Sequence, residues 1–131
     1  MKKWSVLFLM CLLVFSCKGV LGDNSKKDIY AVRIYFEDAG FEVADFAKLF
    51  GTFVGAHTGF RAKINGCPLR VYKFEPYTSE AKKIFSEVKE KSTLTIEGKT
   101  VPVIVNGSFA LYIEDEGHPE KNKIVKTFKK F

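Results

Sequence analysis

Apolar residues along this chain fall into short runs whose period changes from one run to the next, and the period predicts the elements. Ile29 to Phe36 (IYAVRIYF) is rich in β-branched and aromatic residues. Tyr30, Val32, Ile34 and Phe36 lie on one face of it, and Ile29, Ala31, Arg33 and Tyr35 on the other. Two largely apolar faces predict a strand buried on both sides. Glu37-Asp38-Ala39-Gly40 breaks the run, and Asp38 suits the N-cap of a following helix. From Phe41 to Ala56 the apolar positions are Val43, Phe46, Ala47, Phe50, Phe53 and Val54, the spacing of an amphipathic helix, with Gly55 or Gly59 to stop it. Phe60 to Phe74 alternates on either side of Asn65-Gly66-Cys67-Pro68, which predicts two strands, or one strand preceded by a turn. Thr78 or Ser79 caps a helix that runs to about Lys91, with Ala81, Ile84, Phe85 and Val88 on one face. Leu94 to Val105 is β-like with a turn at Glu97-Gly98, and Asn106-Gly107 joins Val103–Val105 to Phe109–Ile113 as a hairpin. Pro119 opens a last helix in which Ile124, Val125, Phe128 and Phe131 share a face.

The start of the chain has a different pattern. Met1-Lys2-Lys3-Trp4 is cationic, and Ser5 to Phe15 (SVLFLMCLLVF) is apolar without a charge. A membrane-spanning helix needs roughly 20 apolar residues, so this shorter run reads as a secretory signal. Ser16-Cys17 follows at once, and Val14-Phe15-Ser16-Cys17 resembles the lipobox of a bacterial lipoprotein, in the relaxed form similar to that of spirochaetes. The resemblance implies cleavage after residue 16, acylation of Cys17 and a membrane as the first partner. It also implies outer-membrane delivery, because Lys18 is not the Asp that retains lipoproteins at the inner membrane. Residues 1–16 are then signal, 17–28 the lipidated cysteine and a polar, flexible tether, and 29–131 one folded domain.

The predicted order is β-α-β-α-β-β-α, an α/β domain with a central mixed sheet flanked by helices. Thr100-Val101-Pro102, followed by Val103-Ile104-Val105-Asn106-Gly107, is similar to the Thr-Val-Pro, short strand and Asx-Gly hairpin of glutaredoxins. The resemblance implies a thioredoxin-like fold in which Pro102 is cis and faces the turn that holds Asp38 and Gly40. Asp38, Gly40, Val101 and Pro102 then line a candidate binding groove. That turn holds carboxylates where the family places its reactive thiol, so the dithiol chemistry is absent. Pairing residues 60–66 with 69–75 as a hairpin gives the alternative, a ferredoxin-like α+β sandwich.

Composition adds limits. The chain is 47% hydrophobic and 15% aromatic, with thirteen Phe, enough for a core without disulfides. Its net charge of +6 falls to about +4 once Lys2 and Lys3 leave with the signal, and Lys121, Lys123, Lys126, Lys129 and Lys130 concentrate near the end. Nucleic-acid binding is not expected, because the aromatics sit at core-periodic positions. With Cys11 in the signal and Cys17 acylated, Cys67 is the one remaining thiol. His57 and His118 have no ligand-spaced partner, and no phosphate-binding glycine loop or nucleophile elbow is present. No metal and no cofactor is expected. The expectation is therefore a membrane-anchored, non-catalytic binding domain of the cell envelope, with an envelope or extracellular protein as partner. The alternatives are a thiol-dependent redox protein acting through Cys67, or a structural or adhesive surface lipoprotein.

Overall fold

The computed structural model describes residues 23–131; the expected signal, Cys17 and residues 18–22 lie outside the described residues. The elements are α1 (Ile29–Asp38), β1 (Val43–Phe50), a single 3-10 turn (Thr52–Val54), β2 (Thr58–Ile64), β3 (Cys67–Lys73) and α2 (Ser79–Lys91). They continue as β4 (Thr93–Ile96), β5 (Lys99–Pro102), β6 (Ile104–Asn106), β7 (Phe109–Ile113) and α3 (Lys121–Phe128). Five strands form one sheet in the order β1-β2-β3-β7-β6, and β4 and β5 form a separate two-stranded ribbon. Every pairing is antiparallel, so the class is α+β and the mixed sheet of the α/β expectation is not formed.

Two expected elements are exchanged. Residues 29–36, expected as a strand, are helical. Asp28 caps the helix, its carboxylate accepting the Ala31 N–H at 2.9 Å. Ile29, Val32 and Phe36, three and four residues apart, enter the core, while Tyr30 and Ile34 stay exposed. Arg33 and Glu37 pair one turn apart at 3.2 Å. Residues 43–50, expected inside a helix, are a strand with a β-bulge. Between the pairs Ala44–Lys63 and Ala47–Arg61, Asp45 and Phe46 oppose the single residue Ala62, and Asp45 takes φ 53 within the bulge. The inserted residue turns the two-residue alternation of a strand into a three-residue gap, from Val43 to Phe46, which imitates helical spacing.

These exchanges remove the elements on which the thioredoxin-like arrangement depends. The strand that would lead into the Asp38 turn is a helix, and no peptide bond among the described residues is cis, Val101–Pro102 included. The ferredoxin-like order is not met either, since a helix precedes three consecutive strands. The remaining elements follow the sequence pattern. Asn65 and Gly66, with φ 48 and 78, make the two-residue turn between β2 and β3. Thr78 caps α2 through the Ala81 N–H at 3.1 Å, and α3 starts at Lys121, just after Pro119.

The sheet separates two cores. On one face Phe60, Leu69, Val71, Phe109 and Leu111 pack against Val32 and Phe36 of α1 and Ile124 and Phe128 of α3. Phe46 stacks on Phe60 at 4.9 Å, and the Phe131 ring meets Phe109 edge-on at 5.2 Å. On the other face Tyr72, Phe74 and Ala110 are covered by Val54, by Phe85 and Val88 of α2, and by Leu94 and Ile96 of the ribbon. Each large side chain so buried contributes about 1.5–3 kcal/mol, which makes these two layers the main source of stability.

The segment before α1 is not a free tether throughout. Asn24 is only 1% exposed. Its Nδ2 donates to the Asn106 carbonyl at 3.0 Å, and its Oδ1 accepts the Ser108 N–H at 3.0 Å. Lys27 Nζ lies 4.6 Å from the centre of the Phe131 ring. Asn24 to Asp28 thus clasp the β6–β7 turn. Gly107, at φ +58, leaves room for the clasp, because a Cβ there would be driven into the Asn24 side chain.

Candidate functional site

The second face of the sheet is only half covered. Strand alternation places Arg61 and Lys63 of β2, Pro68 and Arg70 of β3, and Tyr112 of β7 on that face. The ribbon and α2 cover the half nearest the β6–β7 turn, leaving the half nearest the Asn65-Gly66 turn open. Arg61 stands directly opposite Arg70 in the register, a like-charged pair that would be destabilising alone. Glu114, 16% exposed, joins them. Its Oε1 lies 2.8 Å from Arg70 Nε and its Oε2 3.3 Å from Arg61 Nη2. Arg70 is largely enclosed, and the Tyr72 hydroxyl together with Glu114 pushes its guanidinium further toward the charged form. The Arg61 side chain stays 56% exposed.

Hollows flank this cluster on both sides. One of about 360 Å³ is lined by Asp45, Ala47, Arg61, Lys63 and Pro68. The other, of about 240 Å³, lies between Leu49, Arg70, Tyr72 and Ile96, with Phe50 at its edge. Together they make a shallow trough with a charged floor and one apolar end. A separate cleft of about 460 Å³ opens between the 3-10 turn, α2 and the ribbon, lined by Thr52, Glu87, Lys91, Thr93 and Thr100 among others. It is the larger space, but its two charged residues, Glu87 and Lys91, form no ion pair, and the rest of its walls are hydroxyls and methyls. The trough is the better candidate because its polar groups are fixed by one another.

The expected groove is not assembled. Asp38 and Gly40 lie at the end of α1, which packs on one face of the sheet, whereas Val101 belongs to the core on the opposite face and Pro102 follows it in β5. Cys67 is fully buried among the aliphatic residues of the first core. Burial first, and then the carboxylates of Asp115, Glu114, Glu116 and Glu120, push its thiol pKa up, the reverse of what a nucleophilic thiol requires. His57 follows the 3-10 turn rather than a helix, and its Nε2 lies 3.0 Å from Glu75, which also holds the buried Lys73 at 3.0 Å. His118 accepts the Glu120 N–H through Nδ1. Among the described residues no three His, Cys, Asp or Glu side chains are placed to hold a metal ion.

None of Arg61, Arg70 and Glu114 was singled out as a site residue from the sequence. The signal was present: a two-residue turn at Asn65-Gly66, counted outward, sets Arg61 against Arg70. Nothing local points to Glu114, which reaches them from β7. No known protein family matches the chain, and no curated protein or solved structure matches it either.

Proposed function

We propose that this protein is an exported, lipid-anchored and non-catalytic binding module of the cell envelope, whose open sheet face takes a protein partner. The observation that carries the reading is the uncovered half-face, where two arginines are held together by one carboxylate beside an apolar hollow. A sheet whose other surfaces are packed leaves such a face bare at the cost of unburied area, and arginine is the side chain best suited to planar recognition of a carboxylate. The partner is a chain segment with carboxylates for Arg61 and Lys63 and an apolar group for the Leu49–Ile96 hollow. The anchor rests on the cationic start, the apolar run Ser5–Phe15 and Cys17. No thioredoxin-like arrangement is needed for this reading. The redox alternative through Cys67 draws no support from a thiol that is enclosed and held protonated.

The test uses the full chain made in cells, with a photo-crosslinking side chain at Lys63 or, as a control, at Lys83 on α2. The reading expects a protein adduct from position 63, none from position 83, and loss of the adduct when Arg61→Glu is added. Equal adducts at both positions, or an adduct indifferent to Arg61→Glu, would sink it. The anchor is tested separately. Cys17→Ser is expected to move the protein from the detergent phase to the aqueous phase, and no change on that substitution would rule the anchor out.

A further inference from the structure

The two ends of the sheet differ in ways that single one out. At the β6–β7 turn the Asn24 clasp fixes the point from which the preceding chain leaves the domain. Cys17 precedes Asn24 by seven residues, a reach of about 25 Å at full extension. Four exposed lysines collect around that exit: Lys26 and Lys27 within the clasped segment, and Lys129 and Lys130 just after α3. The cross-strand row Asn106, Phe109, Lys73, Thr58 and Phe50 runs across the sheet at the same level. Phe50, at its far edge, is 83% exposed. Tyr77, 80% exposed, stands at this end too, against His57. These are the two most exposed large apolar side chains among the described residues, and nothing within the domain covers them. At the opposite end, around the Asn65-Gly66 turn, exposed Glu37, Asp38, Glu42, Asp115 and Glu116 outnumber exposed Lys63 and Lys123, whereas at the clasped end the four lysines outnumber exposed Asp23 and Asp28.

Exposed aromatics beside lysines, at the exit of an acylated chain, have the chemistry of a membrane-contact surface. Aromatic side chains settle at the headgroup level, and lysines are drawn to anionic lipid. We propose that the Asn24 end of the sheet lies against an anionic phospholipid surface, with Phe50 and Tyr77 entering the headgroup layer and Lys26, Lys27, Lys129 and Lys130 facing the lipid phosphates. This rests on the lipid-anchor reading and deepens it. The clasp makes the anchor directional: Arg61 and Arg70 lie level with Tyr112, about 14 Å up the strands from Ser108 at a rise of roughly 3.4 Å per residue, on the half of the sheet away from the bilayer.

The test uses the lipidated full chain in vesicles of equal parts phosphatidylglycerol and phosphatidylcholine. Single cysteines are placed at Tyr77→Cys, Lys129→Cys, Glu37→Cys and Glu116→Cys, and labelled with an environment-sensitive fluorophore; Cys67 is enclosed and does not compete. Lipids bearing a nitroxide near the headgroup are expected to quench positions 77 and 129 and to spare 37 and 116. With the label at Tyr77→Cys, reversing all four lysines to Glu is expected to weaken that quenching, the membrane-facing orientation losing about fivefold in population per lysine charge removed at low salt. Equal quenching at both ends, or deeper quenching at 37 and 116, would overturn the orientation. Whether Cys17 carries lipid is read in the same samples from the mass of the N-terminal peptide. Failure of the anchor and failure of the orientation are therefore distinguishable.

Discussion

Asn24→Ala is the most direct test of the clasp. The side chain makes two hydrogen bonds of 3.0 Å, one donated to the Asn106 carbonyl and one accepted from the Ser108 N–H. Each contributes about 1 kcal/mol net, and removing the side chain strands a donor and an acceptor in a turn that is only half open to water. The expected loss is about 2–3 kcal/mol, a large share of the roughly 5–15 kcal/mol by which a domain is stable. In urea, with a slope of about 1–3 kcal/mol per molar, the midpoint should fall by roughly 1–2 M with the slope unchanged. The assay is far-ultraviolet circular dichroism of the purified Cys17→Ser chain, which keeps the comparison free of detergent. Gly107→Ala supplies the internal check, since its added methyl would displace the same Asn24 side chain. The two substitutions together should cost less than the sum of each alone. A loss below about 0.5 kcal/mol for Asn24→Ala, within the range of ordinary surface changes, would refute the clasp, as would full additivity with Gly107→Ala.

Three further outcomes are expected. Cys67 should not react with a thiol reagent until the protein unfolds. Because its folded pKa is raised, the stability it confers is complete below the ordinary thiol range and is lost as pH climbs from that range to the raised folded value. Urea midpoints across that interval should fall less steeply for Cys67→Ala than for wild type. Phe60→Ala, which opens the centre of the first core, should cost about 3–5 kcal/mol, and Thr78→Ala, which uncaps α2, only about 1 kcal/mol, both read from the same urea transitions. Glu114→Ala should cost about 1–2 kcal/mol by leaving Arg61 opposite Arg70, and adding Arg61→Thr should recover part of that loss in a double-mutant cycle.

The second half of the fold was legible because its signals are local. Asn65-Gly66, Glu97-Gly98 and Asn106-Gly107 each mark a hairpin that forms, and Thr78 marks the start of α2. The first half misled for two physical reasons. In Ile29–Phe36 the exposed positions of the helix are filled by Tyr30 and Ile34, so the polar stripe that would reveal a helix is missing. In Val43–Phe50 the bulge at Asp45 breaks the strand's alternation. Asp28 was the overlooked clue: a cap residue directly before Ile29, three positions from the N–H that it binds. The trough was half legible, since register alone pairs Arg61 with Arg70. Glu114 and Asn24 act across 44 and 82 residues of sequence, and such separations leave no local trace.

At Asp45 the outer border of the sheet stops being a usable template. A free edge of eight residues offers its row of N–H and C=O groups to any extended chain, which is how sheets grow into fibres. The bulge bends that row, and Asp45, with its side chain 72% exposed, puts a carboxylate on it. The other border is β6, three residues long, and its Asn106 carbonyl is already taken by Asn24. One extra residue in β1 and one asparagine before α1 thus make both borders of the five-stranded sheet poor templates for strand addition.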